Sequence, residues 1–117
     1  GFTHAETFEI GDGVFLGAQA YLQGGNGGTC RIGARVWIGP QAYLDARDLT
    51  IEDDVALGPG VRILGSAHTG SPVELPVPQT DLDIQPVRIE AGAELGVNAV
   101  VMPGVTIGRG SLGEPAG

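Results

Sequence analysis

The stretch IGARVWIGPQAYLDARDL, from Ile32 to Leu49, decides the fold because it repeats every six residues. Its three units begin with Ile32, Ile38 and Leu44, and glycine follows the first two of these residues. A period of six is a multiple of the two-residue repeat of a β-strand but not of the 3.6-residue turn of an α-helix. A helix would spread these aliphatic side chains around its whole surface, so the pattern predicts short strands.

The same unit recurs along most of the chain. Thirteen units begin with an aliphatic residue, and the fifth position is mostly valine or alanine. The first positions are Ile10, Leu16, Leu22, Ile32, Ile38, Leu44, Ile51, Leu57, Ile63, Ile89, Leu95, Val101 and Ile107. Three strands joined by tight corners form a coil of 18 residues, and such coils stack about 4.8 Å apart with parallel strands. The sequence therefore predicts an all-β fold, a parallel β-helix, in one domain over residues 1–117.

The spacing of the units that start each coil locates the insertions. Ile10, Ile32, Ile51, Ile89 and Ile107 are 22, 19, 38 and 18 residues apart, so the excesses over 18 are 4, 1, 20 and 0. The largest excess follows directly after a histidine, and we predict a long projecting loop at about residues 69–87. Its four prolines disfavour regular strand pairing, and a loop of this length in a compact domain is usually functional. We also predict that residues 1–9 cover the open end of the first coil.

The composition excludes several classes of protein. The formal net charge is −8 with six basic residues, so the chain offers no basic cluster for nucleic acid or an anionic membrane surface. A single cysteine, Cys30, rules out an internal disulfide framework, and no apolar run is long enough to cross a membrane. Cys30 has no second catalytic group beside it, which favours an inert thiol. We therefore expect a cytoplasmic protein that binds neither nucleic acid nor a membrane surface.

A longer block has a specific order of elements. It reads LTIEDDVALGPGVRILGSAHTGSPV, then a loop, then PVRIEAGAELGVNAVVMPGVTIGRGS, between Leu49 and Ser111. The order PGVRI, a histidine five residues later, the loop, PVRI and PGVTIG resembles the hexapeptide-repeat O-acetyltransferases, the group of the maltose, galactoside and xenobiotic acetyltransferases. The resemblance implies a left-handed coil, a homotrimer, and acetyl-coenzyme A bound between subunits. It also implies an enzyme that acetylates a hydroxyl of a sugar or a similar small acceptor.

The resemblance assigns candidate site residues. His68 matches the family's catalytic histidine, a general base that takes the proton of the acceptor hydroxyl as its oxygen attacks the thioester. Gly96 and Val97 match the coil that holds the donor's thiol arm, and Arg109 is the candidate contact for the coenzyme phosphates. Asp45 is near an acceptor-contacting carboxylate of the family. Judged as single residues, Gly96 and Asp45 are equally consistent with corner positions of the coil, and Arg109 with a solvated side chain.

Two other functions suit the same fold. The γ-type carbonic anhydrases are hexapeptide proteins that bind zinc through three histidines, but this sequence has only two, His4 and His68. No cysteine or carboxylate stands at a partnering distance from either in the sequence, so we expect no metal. The alternative from another class is a non-catalytic β-helix that serves as a scaffold for oligomerisation or binding, because one solenoid fold hosts many functions. The sequence assigns no role to His4.

Overall fold

The computed structural model describes residues 2–3, 7–24 and 27–113 of the chain. These residues form 17 short β-strands and one 3₁₀ helix, Val77–Gln79. Fifteen of the strands belong to three parallel five-stranded sheets, and the remaining two form an antiparallel pair. The fold is therefore all-β, as predicted, and the three sheets are the faces of a prism.

Each face takes one strand from every coil. Face 1 contains β2 (Thr7–Ile10), β5 (Thr29–Ile32), β8 (Leu49–Ile51), β13 (Val87–Ile89) and β16 (Thr106–Ile107). Face 2 contains β3 (Phe15–Leu16), β6 (Trp37–Ile38), β9 (Ala56–Leu57), β14 (Glu94–Leu95) and β17 (Leu112–Gly113). Face 3 contains β1 (Phe2–Thr3), β4 (Tyr21–Gln23), β7 (Tyr43–Asp45), β10 (Arg62–Ile63) and β15 (Val100–Val101). The antiparallel pair consists of β11 (Ser66–His68) and β12 (Leu82–Ile84).

The chain visits the faces in the order 1, 2, 3 and then starts the next coil, so the prism has a 1–2 edge, a 2–3 edge and a 3–1 edge. On face 1 the strands pair in register through Ile10, Ile32, Ile51, Ile89 and Ile107. These are the five residues whose spacing located the insertions, and the predicted coil boundaries are confirmed. The architecture is a left-handed parallel β-helix.

The core is a set of aliphatic columns inside the prism. The first positions of the units in the middle coils are almost fully buried, and small residues at the fifth positions fill the corners between them. The buried hydrophobic residues include Leu22, Ile32, Ile38, Leu44, Ile51, Leu57, Ile63, Ile89, Leu95 and Val101. Ile10 and Leu16 point inward at the first coil but stay partly exposed, because a terminal coil is covered on one side only.

Close stacking of the coils explains the glycine that follows many first positions. A Cβ atom on Gly39 would lie 2.6 Å from the backbone nitrogen of Pro59 in the next coil. No side chain fits at that distance, so the corner requires glycine. Gly17, Gly39, Gly58 and Gly96 form one column along the 2–3 edge, because the residues that precede them pair with one another on face 2.

The long insertion differs from its predicted form. The prediction placed an unpaired loop at residues 69–87, whereas β11 and β12 pair across it, with His68 opposite Leu82. The prolines do not prevent this pairing because all four lie outside the two strands, and Val87 already belongs to β13. The insertion is therefore a hairpin with its root at the 3–1 edge. We call residues 66–84 the projecting hairpin.

The predicted cover at residues 1–9 consists, where it is described, of additional strands. β1 extends face 3 by pairing with β4, and β2 extends face 1 by pairing with β5. Phe8 packs against the core, which suits a residue that covers the first coil. Residues 1 and 4–6 of this segment lie outside the described residues.

We expect substitutions in the aliphatic columns to destabilise the protein in proportion to the volume removed. Ile51 is fully buried on face 1 with isoleucine neighbours in the coils on both sides. Ile51→Ala should lower the free energy of unfolding by about 2–5 kcal/mol, and Ile51→Val by about 0.5–1.5 kcal/mol. Urea unfolding at a fixed protein concentration measures both values. A loss of less than about 1 kcal/mol for Ile51→Ala would contradict the stacked core.

Candidate functional site

The projecting hairpin carries the predicted base, His68. His68 is the last residue of β11 and is exposed, whereas Ile63, only five residues earlier, is fully buried in the core. The chain leaves the prism between these two residues. The imidazole is therefore outside the core and accessible to a small molecule at the 3–1 edge.

One nitrogen of the imidazole has a backbone partner. The Nδ1 atom of His68 lies 3.1 Å from the carbonyl oxygen of Thr80, on the opposite side of the hairpin. A carbonyl oxygen can only accept, so this contact favours the tautomer in which Nδ1 carries the proton and donates it. The second nitrogen, Nε2, then has an open lone pair. This is the arrangement that a general base requires.

Thr80 is one of two buried polar residues among those the structure describes. Its hydroxyl donates to the carbonyl oxygen of Val77 at 2.5 Å and accepts the backbone N–H of Gly70 at 3.2 Å. The bond from Gly70 crosses the loop at the end of the hairpin, the bond to Val77 is local, and together they fix the peptide that bonds to His68. The sequence did not identify Thr80, because a threonine in a loop carries no signal for a buried position.

The other buried polar residue is Asp45, which follows the core residue Leu44 at the 3–1 edge. Its Oδ1 atom accepts the backbone N–H and the Nε–H of Arg47 at 3.2 and 2.9 Å. Its Oδ2 atom accepts from Arg47 Nη2 at 2.8 Å and from the hydroxyl of Ser66 at 2.7 Å. The same Nη2 also donates to the Ser66 oxygen at 2.7 Å. We call Asp45, Arg47 and Ser66 the edge network.

The edge network keeps its carboxylate ionised. Burial by itself would raise the pKa of Asp45, but the hydrogen bonds from Arg47 and Ser66 outweigh burial and lower this pKa below the ordinary value. All four acceptor positions of the carboxylate have partners within the chain. Direct contact between Asp45 and an acceptor therefore stays a prediction, and an acceptor would have to displace Arg47 or Ser66 to make it.

The predicted donor-binding residues lie at the other two edges. Gly96 and Val97 follow β14 at the 2–3 edge, and Val97 is exposed. Arg109 lies between β16 and β17 at the 1–2 edge and is also exposed. Within one chain the fold brings Asp45 to the same edge as His68, but it does not bring Gly96, Val97 or Arg109 there.

Face 1 carries a shallow groove of about 450 Å³ that no predicted site residue lines. Its wall includes two ion pairs, Arg31 with Glu9 at 3.1 Å and Arg88 with Glu52. Each cation of the groove thus already has an acidic partner. The groove lies on a flat face, whereas the hairpin and its imidazole project from the 3–1 edge.

Cys30 contributes no reactive thiol to any of these places. It is fully buried in β5, and burial raises the pKa of its thiol to about 12. Because the thiolate is the nucleophile, this cysteine is inert at neutral pH, in agreement with its interpretation from the sequence.

In the described part of the chain, histidine, cysteine, aspartate and glutamate residues do not come together in groups of three or more, as a metal site would require. No helix there is long and apolar enough to span a membrane. His4 lies outside the described residues.

Comparisons with known proteins agree with the fold. Residues 86–112 match the family model for the hexapeptide repeat of succinyl-transferase. A Schizosaccharomyces pombe protein that carries a provisional acetyltransferase name is 33% identical over 70 residues, which is 59% of this chain and 32% of that protein. A crystal structure of a hexapeptide-repeat-containing acetyltransferase from Vibrio cholerae O1 biovar eltor, complexed with acetyl-coenzyme A, superposes with a TM-score of 0.75 at 26% identity.

The superposition covers 92% of this chain and 56% of the Vibrio cholerae chain. The sequence thus spans about a third of the yeast relative and about half of the bacterial one. The repeat, the three-faced prism and these similarities agree with one another: the chain has the hexapeptide-repeat fold and is similar to acetyltransferases of this type.

Proposed function

We propose that the protein transfers an acetyl group from acetyl-coenzyme A to a hydroxyl of a sugar or a similar small acceptor, with His68 as general base. The observation that carries the proposal is the contact between Nδ1 of His68 and the Thr80 carbonyl, which leaves Nε2 open at an exposed edge. The acetyl-coenzyme A complex of the Vibrio cholerae protein supports the identity of the donor.

The proposed chemistry needs one proton acceptor and no covalent enzyme intermediate. A hydroxyl is a weak nucleophile at neutral pH, so Nε2 of His68 takes its proton while the oxygen bonds to the thioester carbonyl carbon. The carbon–sulfur bond then breaks, and the proton passes from Nε2 to the sulfur of the departing thiol. The Thr80 carbonyl stabilises the imidazolium between these two transfers, because Nδ1–H donates to it throughout.

The donor site in this proposal lies between two chains of a homotrimer. The edge that carries His68 does not carry Gly96, Val97 or Arg109. One chain alone therefore cannot place these four residues around the same donor molecule. A cyclic assembly can place the 2–3 edge of one chain against the projecting hairpin of its neighbour. Gly96 and Val97 would then face the thiol arm of the coenzyme.

Arg109 is proposed to contact a phosphate of the coenzyme. Its side chain is exposed. The pKa of Glu52 is lowered first by the hydrogen bond from the Ala91 N–H, then by Arg88, and to a smaller extent by the charge of Arg109. A cation this close to a carboxylate attracts an anion less strongly, so we assign Arg109 a share in binding and not the whole of it. The net charge of −8 makes such local cations the main source of attraction for phosphates.

Asp45, the predicted acceptor contact, lies at the same edge as His68. Its carboxylate reaches an acceptor only by exchanging one of its present partners, Arg47 or Ser66. We place the reaction in the cytoplasm, because a single buried cysteine is typical of proteins in reducing compartments.

We expect His68→Ala to remove the chemical step and to leave donor binding intact. The rate of coenzyme A release with a panel of hydroxyl acceptors should fall by about a hundredfold to ten-thousandfold, because the base is lost. The dissociation constant of acetyl-coenzyme A, measured by calorimetry, should change less than about threefold. Equal release rates in His68→Ala and the parent would remove His68 from catalysis.

A matched control for His68→Ala lies on the partner strand of the same hairpin. Asp83 is exposed in β12 opposite Ala67, and Asp83→Asn should leave the release rate unchanged. If the well-folded parent neither releases thiol nor binds acetyl-coenzyme A, the proposed function is wrong and a binding scaffold is the better interpretation.

We expect Thr80→Val to lower the turnover number by about tenfold, with a smaller effect for Thr80→Ser. Valine keeps the shape but removes the hydroxyl, so Gly70 N–H and the Val77 carbonyl lose a partner and the peptide at residue 80 is less firmly held. Steady-state kinetics with saturating donor measures the effect, and a thermal melt shows that both variants are folded. A turnover number for Thr80→Val equal to that of the parent would contradict the role of this peptide.

A further inference from the structure

The position of His68 depends on how the projecting hairpin is attached to the prism. β11 and β12 pair with each other, and neither belongs to any of the three faces. A two-stranded hairpin alone is marginally stable in water. Contacts between the hairpin and the body must therefore fix the place and direction of the imidazole.

At the root of β11, the side chain of Ser66 makes such a contact with the body of the prism. Its hydroxyl donates to Asp45 and accepts from Arg47, both at 2.7 Å. In a β-strand, residues two apart point to the same side, so Ser66 and His68 share one side of β11. A displacement of the Ser66 hydroxyl therefore moves or rotates the strand that carries the base.

The ion pair that holds Ser66 differs from the other ion pairs of the described residues. The side chains of Asp45 and Arg47 are 4% and 15% exposed, whereas those of the other pairs are 30–64% exposed. Burial of two charges costs solvation free energy, and a buried pair is therefore weak support for stability alone. A well-defined geometry is the better-attested benefit of such a pair.

The neighbouring backbone is shaped to admit this pair. A Cβ atom on Gly65 would lie 3.3 Å from Cγ of Asp45, which is tighter than an ordinary contact. The absence of a side chain at Gly65 thus leaves room for the carboxylate under the start of β11. The carbonyl of Gly65 also accepts the N–H of Gln85 at 2.9 Å, which closes the root of the hairpin.

We propose that the edge network of Asp45, Arg47 and Ser66 positions His68 for catalysis without itself touching the acceptor. The inference rests on the proposed function for its kinetic consequences. In this proposal Asp45 holds Ser66 through its present hydrogen bonds and does not bind the acceptor.

The test compares Ser66→Ala with Ser66→Thr, which keeps the hydroxyl on a strand that tolerates threonine. We expect Ser66→Ala to lower the turnover number by about tenfold with the KM for acetyl-coenzyme A within about twofold of the parent, because misplaced catalytic groups slow the chemical step. Ser66→Thr should recover most of the turnover. Arg47→Lys should not match the parent, since lysine cannot bond to the carboxylate through two nitrogens.

The matched control is the exposed two-bond ion pair between Arg35 and Asp54 at the 1–2 edge. Asp54 has a φ of 60°, and asparagine tolerates that conformation, as Asn98 does elsewhere in the chain. Asp54→Asn should leave turnover and KM unchanged.

A second measurement does not depend on activity. Nitrogen NMR of the imidazoles is simple because the chain has two histidines, and His68→Ala assigns the signals. The parent should show the Nδ1–H tautomer at His68, and Ser66→Ala should shift and broaden these signals while Asp54→Asn leaves them unchanged.

The outcomes separate the two proposals. If the parent has no transferase activity, the proposed function fails, and the NMR comparison alone decides whether the edge network positions His68. An unchanged imidazole spectrum in Ser66→Ala, or a loss of turnover that Ser66→Thr does not recover, overturns the positioning role.

Discussion

The stacking of aliphatic side chains between successive coils is the constraint on which the rest of the structure depends. Ile32, Ile51 and Ile89 illustrate it, because each pairs with the next on face 1 and all are fully buried. A column of this kind holds its register only if every coil returns to the same point, so extra residues must leave the prism at an edge. The insertion after Ile63 obeys this rule, and it carries His68 out of the core and into solvent.

The same periodicity explains what could be predicted from the sequence. Hydrophobic side chains at fixed spacing report burial directly, so the faces and the coil boundaries followed from counting residues. The hairpin did not follow, because β11 and β12 form outside the prism, where the repeat imposes no pattern. Counting placed the insertion after His68, whereas the chain leaves the prism before β11. The hydrogen bond between Gly70 and Thr80 and the one between Asp45 and Ser66 join residues that are 10 and 21 positions apart. No local pattern marks such contacts.

The site combines a rigid support with a projecting element. The prism fixes the three edges, and the projecting hairpin is held at its root by the edge network and at its far end by the bonds of Thr80. This division suits a general base, which needs an open nitrogen at one end and a firm partner at the other. The distribution of His68, Gly96 and Arg109 over three different edges is the physical reason to propose that the donor cleft forms between neighbouring chains.

Complementation between two inactive variants tests most directly whether the donor cleft forms between neighbouring chains. His68→Ala removes the proposed base, and Val97→Trp blocks the proposed donor corner. When both chains are unfolded together and refolded as a one-to-one mixture, a trimer with shared sites should recover about a quarter of the parent activity, because one interface in four then pairs two intact halves. A refolded mixture that stays as inactive as either variant alone, while the refolded parent is active, would contradict a site built from two chains.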